Sequence, residues 1–498
     1  MKSTPSRAVR LTFSLVTWFA ALPMGTTLAQ SAAPDFSVQS NSSSATAAAN
    51  VRYPETARVE HFDDYHGTRI ADPYRWLEDA NSPQTQAWVE EENKVTFAYL
   101  RAIPSRERIR QRLTEVWDYE RYGVPFKEGG HYFFSRNTGL QNQNVIFTAP
   151  SVEEAAAGRA QLLLDPNKLS EGGTVALSSY SITDDGRLMA YGVQTSGSDW
   201  IEWRVREVAT GHDLPDVIKW SKFSGASWLK DGSGFFYSAY DPGDEKTKLQ
   251  STNYFQKLYF HKIGTPQSDD LLIYQRQDQK EWGFAGEVTE DGKYLVITVS
   301  QGTDPKNRVF YKSLKDGPAG APVIELLDQW DARYNFVANR GSTFYFLTNK
   351  DAPRARLVSI DVARYDEEAA SWQQAHAGAH GGTARTDAPP SLNEIIPQSA
   401  ETLQGVDLVG GRFIANYLQD AHSVVKIFAP EGGRPLAEVP FPGLGTAAGF
   451  GGKADDPETF FSFASYTAPT RVYRYDARSN PKGLLQDLKK LLQLSHIG

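Results

Sequence analysis

Chemistry in a polypeptide starts from a few residue types at workable spacing. The candidates here are adjacent carboxylates and scattered histidines. Asp63-Asp64, Asp184-Asp185, Asp269-Asp270 and Asp455-Asp456 are side-by-side acids. Two carboxyl groups in different surroundings can serve as general acid and general base. Acids in tight turns have a simpler use, because Asp accepts hydrogen bonds from its own local backbone, and the turn reading is the one adopted. His61 and His66 have no nucleophile beside them and read as local structure. His376 and His380 stand four apart, a metal-ligand spacing on a helix, but Gly378 and Gly381-Gly382 interrupt any helix and no third ligand is near. They read as exposed histidines, and no metal or other cofactor is expected. The chain has no Cys, which excludes disulfides, thiolate catalysis and Cys-ligated metals. The basic-aromatic run Lys219-Trp220-Ser221-Lys222-Phe223 reads as packing along a sheet edge, with the lysine stems lying on apolar surface.

The elements that must position these residues repeat. Turns carrying Glu128–Gly130, Asp184–Gly186, Lys230–Gly232, Glu290–Gly292, Arg340-Gly341, Gly410-Gly411 and Asp455-Asp456 each run into an aromatic, β-branched strand: HYFFS, RLMAYG, GFFYS, KYLVIT, STFYFLT, RFIANY and TFFSF. The spacing of roughly 45 to 70 residues is that of β-propeller blades with loop insertions. One such unit cannot bury its own apolar face, so neighbours must stack around a ring. The expected fold is therefore mainly β, a seven-bladed propeller over residues 122–478. An N-terminal helical segment, residues 53–121, precedes it. There Ser82 caps a helix starting at Pro83 and running to about Leu100, with Trp88, Val95 and Tyr99 on its buried face. A second helix from Ser105 aligns Ile109, Leu113, Val116 and Trp117. Residues 366–391, rich in Ala, Gly and polar side chains, read as a surface loop or insertion. Residues 479–498 form a tail of different character, with Leu484, Leu488, Leu491 and Leu492 in an amphipathic helical pattern.

Bulk properties narrow the partners. The chain has 498 residues, a formal charge of -8 and no basic tract, which argues against nucleic acid. Residues 1–29 read as a signal peptide: Lys2, Arg7 and Arg10 precede the apolar run Leu11–Leu22, which is too short to span a bilayer comfortably. Removing that segment and its three cations leaves -8 - 3 = -11. Residues 30–52 form a flexible leader rich in Ser and Ala. The mature chain is expected to be exported to a periplasmic or extracellular space, to keep no membrane attachment and to be a monomer.

The stretch Asp64–Asp79 (DYHGTRIADPYRWLED) with Ser82–Asn93 resembles the start of the prolyl oligopeptidase family of serine peptidases. The likeness continues through Asn137–Gln143, Leu164–Leu177, Ser198–Trp203, Leu214–Ser224, Gln256–Thr265 and Gly302–Arg308, covering about residues 53 to 478. It implies a propeller whose first and last strands do not pair, and N-terminal helices that pack on an α/β-hydrolase domain carrying Ser, Asp and His. The propeller of that family admits only short peptides. By alignment through TDDG and KFS, the resemblance places Ile182 and Ala226 where apolar side chains help line the peptide site. The chain departs from the family at the nucleophile. A hydrolase serine needs a G-x-S-x-G elbow, and none occurs. Gly225-Ala226-Ser227 lacks the second Gly, and Gly197-Ser198 lies within the propeller. Only 22 residues follow Asp476, whereas a hydrolase domain needs more than about 100.

The expectation is thus an absent catalytic domain and no catalytic residue, as if truncation, frameshift or gene splitting had ended the chain. Such a chain gates and partly encloses short proline-containing peptides and does not hydrolyse them alone; whether it counts as an enzyme stays open. The alternative is a free-standing propeller that binds peptides or a protein partner without catalysis.

Overall fold

The computed structural model describes residues 51–244, 248, 252–367, 383–385, 390–478 and 486–487. The proposed signal segment, His376 and His380, and the tail leucines lie outside the described residues. The chain forms two compact units, residues 1–109 and 110–498.

In the first unit a hairpin pairs Phe62–Tyr65 with Thr68–Ala71. The first helix, α1, spans Pro83–Arg101, and the Ser82 side chain accepts from the Thr85 N–H as the cap expectation requires. Its apolar face is less covered than the periodicity predicts. Trp88 is half-buried and donates its indole N–H to Thr56 Oγ1 at 3.0 Å, but Tyr99 is 52% exposed. The second helix, α2, spans Arg106–Trp117 and crosses the boundary between the units. Ile109, Leu113, Val116 and Trp117 are all at least half exposed. No helix among the described residues is long and apolar enough to cross a membrane.

The second unit is a succession of mainly antiparallel sheets built from the aromatic strands. Five are of blade size: residues 121–164, 282–327, 334–396, 402–438 and 446–487 each contribute a sheet of four or five strands. Between the first and second of these, residues 175–274 form one eight-stranded sheet. The seven-bladed expectation is therefore corrected: the propeller is five-bladed, and a single eight-stranded sheet stands where two separate blades were expected. The physical reason is a strand shared by two hairpins. Asp213–Lys222 pairs with Trp200–Glu207 on one edge, and its Ser221, opposite Ile201 there, also pairs with Ala239 of the following hairpin on the other. Turns in a sequence count hairpins; hydrogen bonds decide where one sheet ends.

The join inside that sheet is buried. The Trp203 indole N–H donates to Ser221 Oγ at 3.0 Å, and Ser221 Oγ donates to the Ser238 carbonyl at 2.7 Å, with all three residues at most 1% exposed. Around them pack Ala190, Ile201, Val205, Ile218, Trp228, Phe235 and Tyr237. The first and last sheets meet differently, with no strand pairing between their described strands. Tyr132, Val152, Phe460 and Val472 form a small core there.

Two further expectations change locally. Thr383–Arg385, inside the segment expected to be a loop, pairs in parallel with Val323–Leu327. Gln486–Asp487, inside the stretch expected to be helical, pairs antiparallel with Ala468–Asp476. In both places backbone groups find ladder partners that local composition does not reveal.

Candidate functional site

The first strand of each sheet runs into a Gly-bearing turn, and these turns converge at one hub. Local chemistry shapes each turn. Asp185 Oδ1 accepts from Thr183 Oγ1 and the Arg187 N–H, Asp231 Oδ1 from the Ser233 N–H and hydroxyl, and Asp291 Oδ1 from Thr289 Oγ1 and the Lys293 N–H. These acids are turn-formers, as the sequence reading has it. Gly129 has a φ of +55°, and its N–H donates to the Asp184 carbonyl at 3.0 Å. A side chain on Gly129 would meet the Asp185 carbonyl oxygen at 2.1 Å, so only glycine allows the two turns to touch.

The residue just before each local turn-former then points into the hub. Lys453 Nζ lies 2.8 Å from Glu128 Oε1 and 3.3 Å from Asp184 Oδ1. Lys230 Nζ reaches the same Asp184 oxygen at 2.7 Å. The next residue in the crossing loop, Ala454, donates its N–H to both Glu290 carboxylate oxygens at 3.0 Å. The loop is anchored on its own side by the Gly410 N–H donating to the Lys453 carbonyl at 3.0 Å. A single loop of the last sheet thereby holds turns from the first, the eight-stranded and the 282–327 sheets.

Three carboxylates face two ammonium groups in this hub, and burial sets their balance. Burial pushes the Glu128 carboxyl up, against the pull of its bond from Lys453. It also raises Glu290, opposed by the Ala454 N–H. Burial works against the Lys453 charge, yet the bond to Glu128 and the field of Asp184 hold its pKa above the ordinary lysine value. Burial would raise Asp184, but the two lysines hold it below the usual carboxylate range. On the first strands themselves, burial alone raises Glu287 and lifts the Asp407 carboxyl to about 6. The arrangement ties sheets together through ion pairs and hydrogen bonds. It contains no activated nucleophile.

The resemblance-derived pair lies nearby in the chain fold. Ile182 ends the strand Val175–Ile182 and is 8% exposed, packed with Phe133, Ile146, Leu163 and Met189. Ala226 is half-buried, and its carbonyl accepts from Ser181 Oγ at 2.8 Å. The Trp228 indole N–H donates to the Ser181 carbonyl at 3.2 Å, so Ser181 bridges the two positions. Ser198 sits in a turn whose N–H donates to the Thr195 carbonyl, and Ser227 Oγ accepts from the Val288 N–H; neither is set up as a nucleophile. His61 approaches Asp63 at 3.3 Å, and His66 occupies a left-handed turn position. Among the described residues, no three acidic or histidine side chains converge as a metal site.

The turns are legible in the sequence and their convergence is not, since nothing local marks Lys230, Glu290 and Lys453 as a set. The only available signal was the charged residue preceding the turn Asp or Gly in Glu128–Gly130, Asp184–Gly186, Lys230–Gly232 and Glu290–Gly292.

Comparison with known proteins bears on what such a ring is for. The family model for the prolyl oligopeptidase N-terminal beta-propeller domain matches residues 54–487. The prolyl endopeptidase of Elizabethkingia meningoseptica is 36% identical over 439 residues, covering 88% of this chain and 57% of that protein. Prolyl oligopeptidase A of Galerina marginata is 29% identical over 455 residues, covering 85% and 58%. A solved prolyl endopeptidase, studied for the role of inter-domain dynamics in catalysis and specificity, matches with a TM-score of 0.63 at 33% identity, over 85% of this chain and 57% of that one. Prolyl oligopeptidase B from Galerina marginata, bound to a 25mer macrocyclization substrate, matches with a TM-score of 0.73 at 24% identity over 88% and 60%, which shows a shared fold. The chain thus spans rather more than half the length of these relatives. With the family match running through both helices, every sheet and the hub, the chain belongs to the prolyl oligopeptidase family by way of its N-terminal β-propeller domain.

Proposed function

We propose that this chain is the enclosing and gating portion of an exported prolyl oligopeptidase-type serine peptidase. It surrounds short proline-containing peptides and does not cleave them by itself. Cleavage in this reading is hydrolysis on the carboxyl side of Pro, performed by a Ser-Asp-His hydrolase domain seated on the N-terminal helices. The observation that carries the proposal is the bare apolar face of α2, where Ile109, Leu113, Val116 and Trp117 are 50 to 56% exposed. A contiguous apolar face of this kind marks a missing partner. A free-standing binding propeller would have to cover that face with its own residues, and among the described residues none does, which favours the gating reading over the alternative. The hub supports it as well, since Lys453 and Ala454 draw several turns together at one end of the ring. Export to a periplasmic or extracellular space rests on the basic and apolar pattern of residues 1–29.

The test is a chromogenic prolyl-peptide assay on the purified chain. No turnover is expected. Turnover abolished by a serine-reactive phosphonate would overturn the inactivity. Leu113→Glu with Trp117→Glu should reduce binding of a hydrophobic dye without lowering the melting temperature. Unchanged dye binding would remove the bare face as the seat.

A further inference from the structure

The eight-stranded sheet carries a second feature, remote in kind from the hub: a group of aromatic rings with ammonium groups already against them. Trp200 meets Trp220 edge-on at 5.6 Å with 78° between the planes, and meets Tyr240 at 5.8 Å with 80°. Lys248 Nζ lies 4.4 Å from the Trp220 ring centroid and 5.3 Å from that of Trp200. Lys222 Nζ lies 5.3 Å from Trp200 as well. Beside them opens a cavity of about 360 Å³ lined by Trp200, Trp220, Lys248, Glu202 and Lys219. Perpendicular rings around a cation are the arrangement by which proteins hold alkylammonium groups, through the negative ring faces.

The backbone adds an independent sign. Trp220 has a φ of +59°, a left-handed conformation that a bulky side chain adopts at a cost of roughly 1–3 kcal/mol. The kink itself belongs to the long strand that joins the two hairpins. Gly or Asn would supply it at less strain, yet a Trp stands there and delivers its ring to the cage. The two lysines are held differently. Lys222 is anchored from the far side, with Asp199 at 3.7 Å and a side chain only 13% exposed. Lys248 comes from the connection between Gly234–Ala239 and Lys257–Lys262, and its carbonyl accepts from the Trp200 indole N–H at a long 3.3 Å.

We propose that Trp200 and Trp220, with Tyr240 packed edge-on against Trp200, form a recognition cage for an alkylammonium cation, such as the side chain of a lysine-bearing peptide, with Lys248 as its own occupant in the unliganded chain. An arriving cation displaces the Lys248 ammonium into the adjoining cavity. The site does not depend on the peptidase reading, and its test uses no peptide cleavage.

The probe is tetramethylammonium chloride, which cannot donate hydrogen bonds, titrated at constant ionic strength into the full chain while tryptophan fluorescence is read. Lys248→Ala should give a saturable response at least about tenfold tighter than the unaltered chain, since the competing occupant is gone. In the Lys248→Ala background, Trp220→Asn suits the left-handed backbone and should abolish the response with the melting temperature maintained. Trp200→Leu provides a second route to the same loss. No saturable response in Lys248→Ala overturns the cage. So does an undiminished response after Trp220→Asn and Trp200→Leu, or an equal response to neutral tert-butanol. Equal affinity with and without Lys248 overturns its role as occupant.

Discussion

Two joints of the propeller unit connect neighbouring sheets by opposite means. Inside the eight-stranded sheet, the strand Asp213–Lys222 carries backbone pairing from one hairpin to the next, and Trp203, Ser221 and Ser238 seal the join with buried hydrogen bonds. Between the first and last sheets no described strands pair, and the apolar core has four buried residues against nine at the first joint. Charge does more of the holding there. Lys127 meets Asp456 at 2.7 Å, the Tyr132 hydroxyl donates to Glu458 at 2.6 Å, and Arg474 reaches Glu458 at 2.5 Å and Glu153 at 3.4 Å. An apolar crevice of about 30 Å³ remains between Tyr122, Phe134, Val152 and Val472. The welded joint relies on desolvated backbone and aromatic packing, which salt does not screen. The closing joint relies on partly exposed ion pairs, which salt does. One repeat pattern therefore yields joints of different strength according to whether two hairpins share a strand.

The largest expected effect lies at the weld. Trp203→Ala removes a side chain that is 1% exposed and should destabilise the chain by about 3–5 kcal/mol, read from denaturant midpoints. A loss under about 1 kcal/mol would mean that the weld is not the stronger joint.

Next comes a buried charge in the same sheet. His261 is fully buried between Asp270, 2.7 Å from Nδ1, and Asp216, 3.0 Å from Nε2, a geometry in which the imidazolium donates from both ring nitrogens. Tyr237 completes the surroundings by donating to Asp270 at 2.6 Å, and the Gly264 N–H donates to Asp216 at 2.5 Å. Burial opposes the imidazolium, but its hydrogen bonds and the fields of both carboxylates raise its pKa overall. The folded value exceeds the unfolded one near 6.5, so the stabilisation is complete below about pH 6.5 and is lost as pH rises through the folded value. The melting temperature should fall across that window. His261→Gln should flatten the profile and leave two buried acids uncompensated, a loss of about 3 kcal/mol at neutral pH. An unchanged pH profile in the variant would show that another group sets the slope.

The smallest effects belong to the seam. Tyr132→Phe removes its donor to Glu458 and should cost about 1 kcal/mol. Raising salt from low to molar concentration should weaken the exposed pairs by a few tenths of a kcal/mol each. Both changes should accelerate hydrogen exchange in His131–Asn137 and Glu458–Ser465 while leaving Gly234–Ala239 protected. Equal acceleration in all three strands would erase the distinction between the joints.

Much of the local structure is legible in the chain. Ser82 before Pro83 starts a helix because a hydroxyl satisfies an orphaned N–H and proline lacks one. Asp185, Asp231 and Asp291 shape turns through atoms two residues away. Of the candidate site, Ile182 and Ala226 came from resemblance, and the turn sequences showed that acids and lysines would stand at strand ends. That Lys453 would meet Glu128 and Asp184 was not legible, because those positions lie more than 250 residues apart and only ring closure brings them together. Nor was the left-handed Trp220, since a tryptophan carries no local preference for that backbone.

The sequence alone determined what depends on neighbours along the chain: the aromatic strands, the Gly and Asp turns, the helix start and the absence of a nucleophile elbow. Tertiary structure decided what depends on distant pairing: five blade-sized sheets and one of eight strands instead of seven blades, a bare face on α2, and which charges share the hub. Hairpins form from residues a few positions apart, whereas sheet boundaries and buried ion networks follow from which desolvated groups find one another once the whole chain has packed.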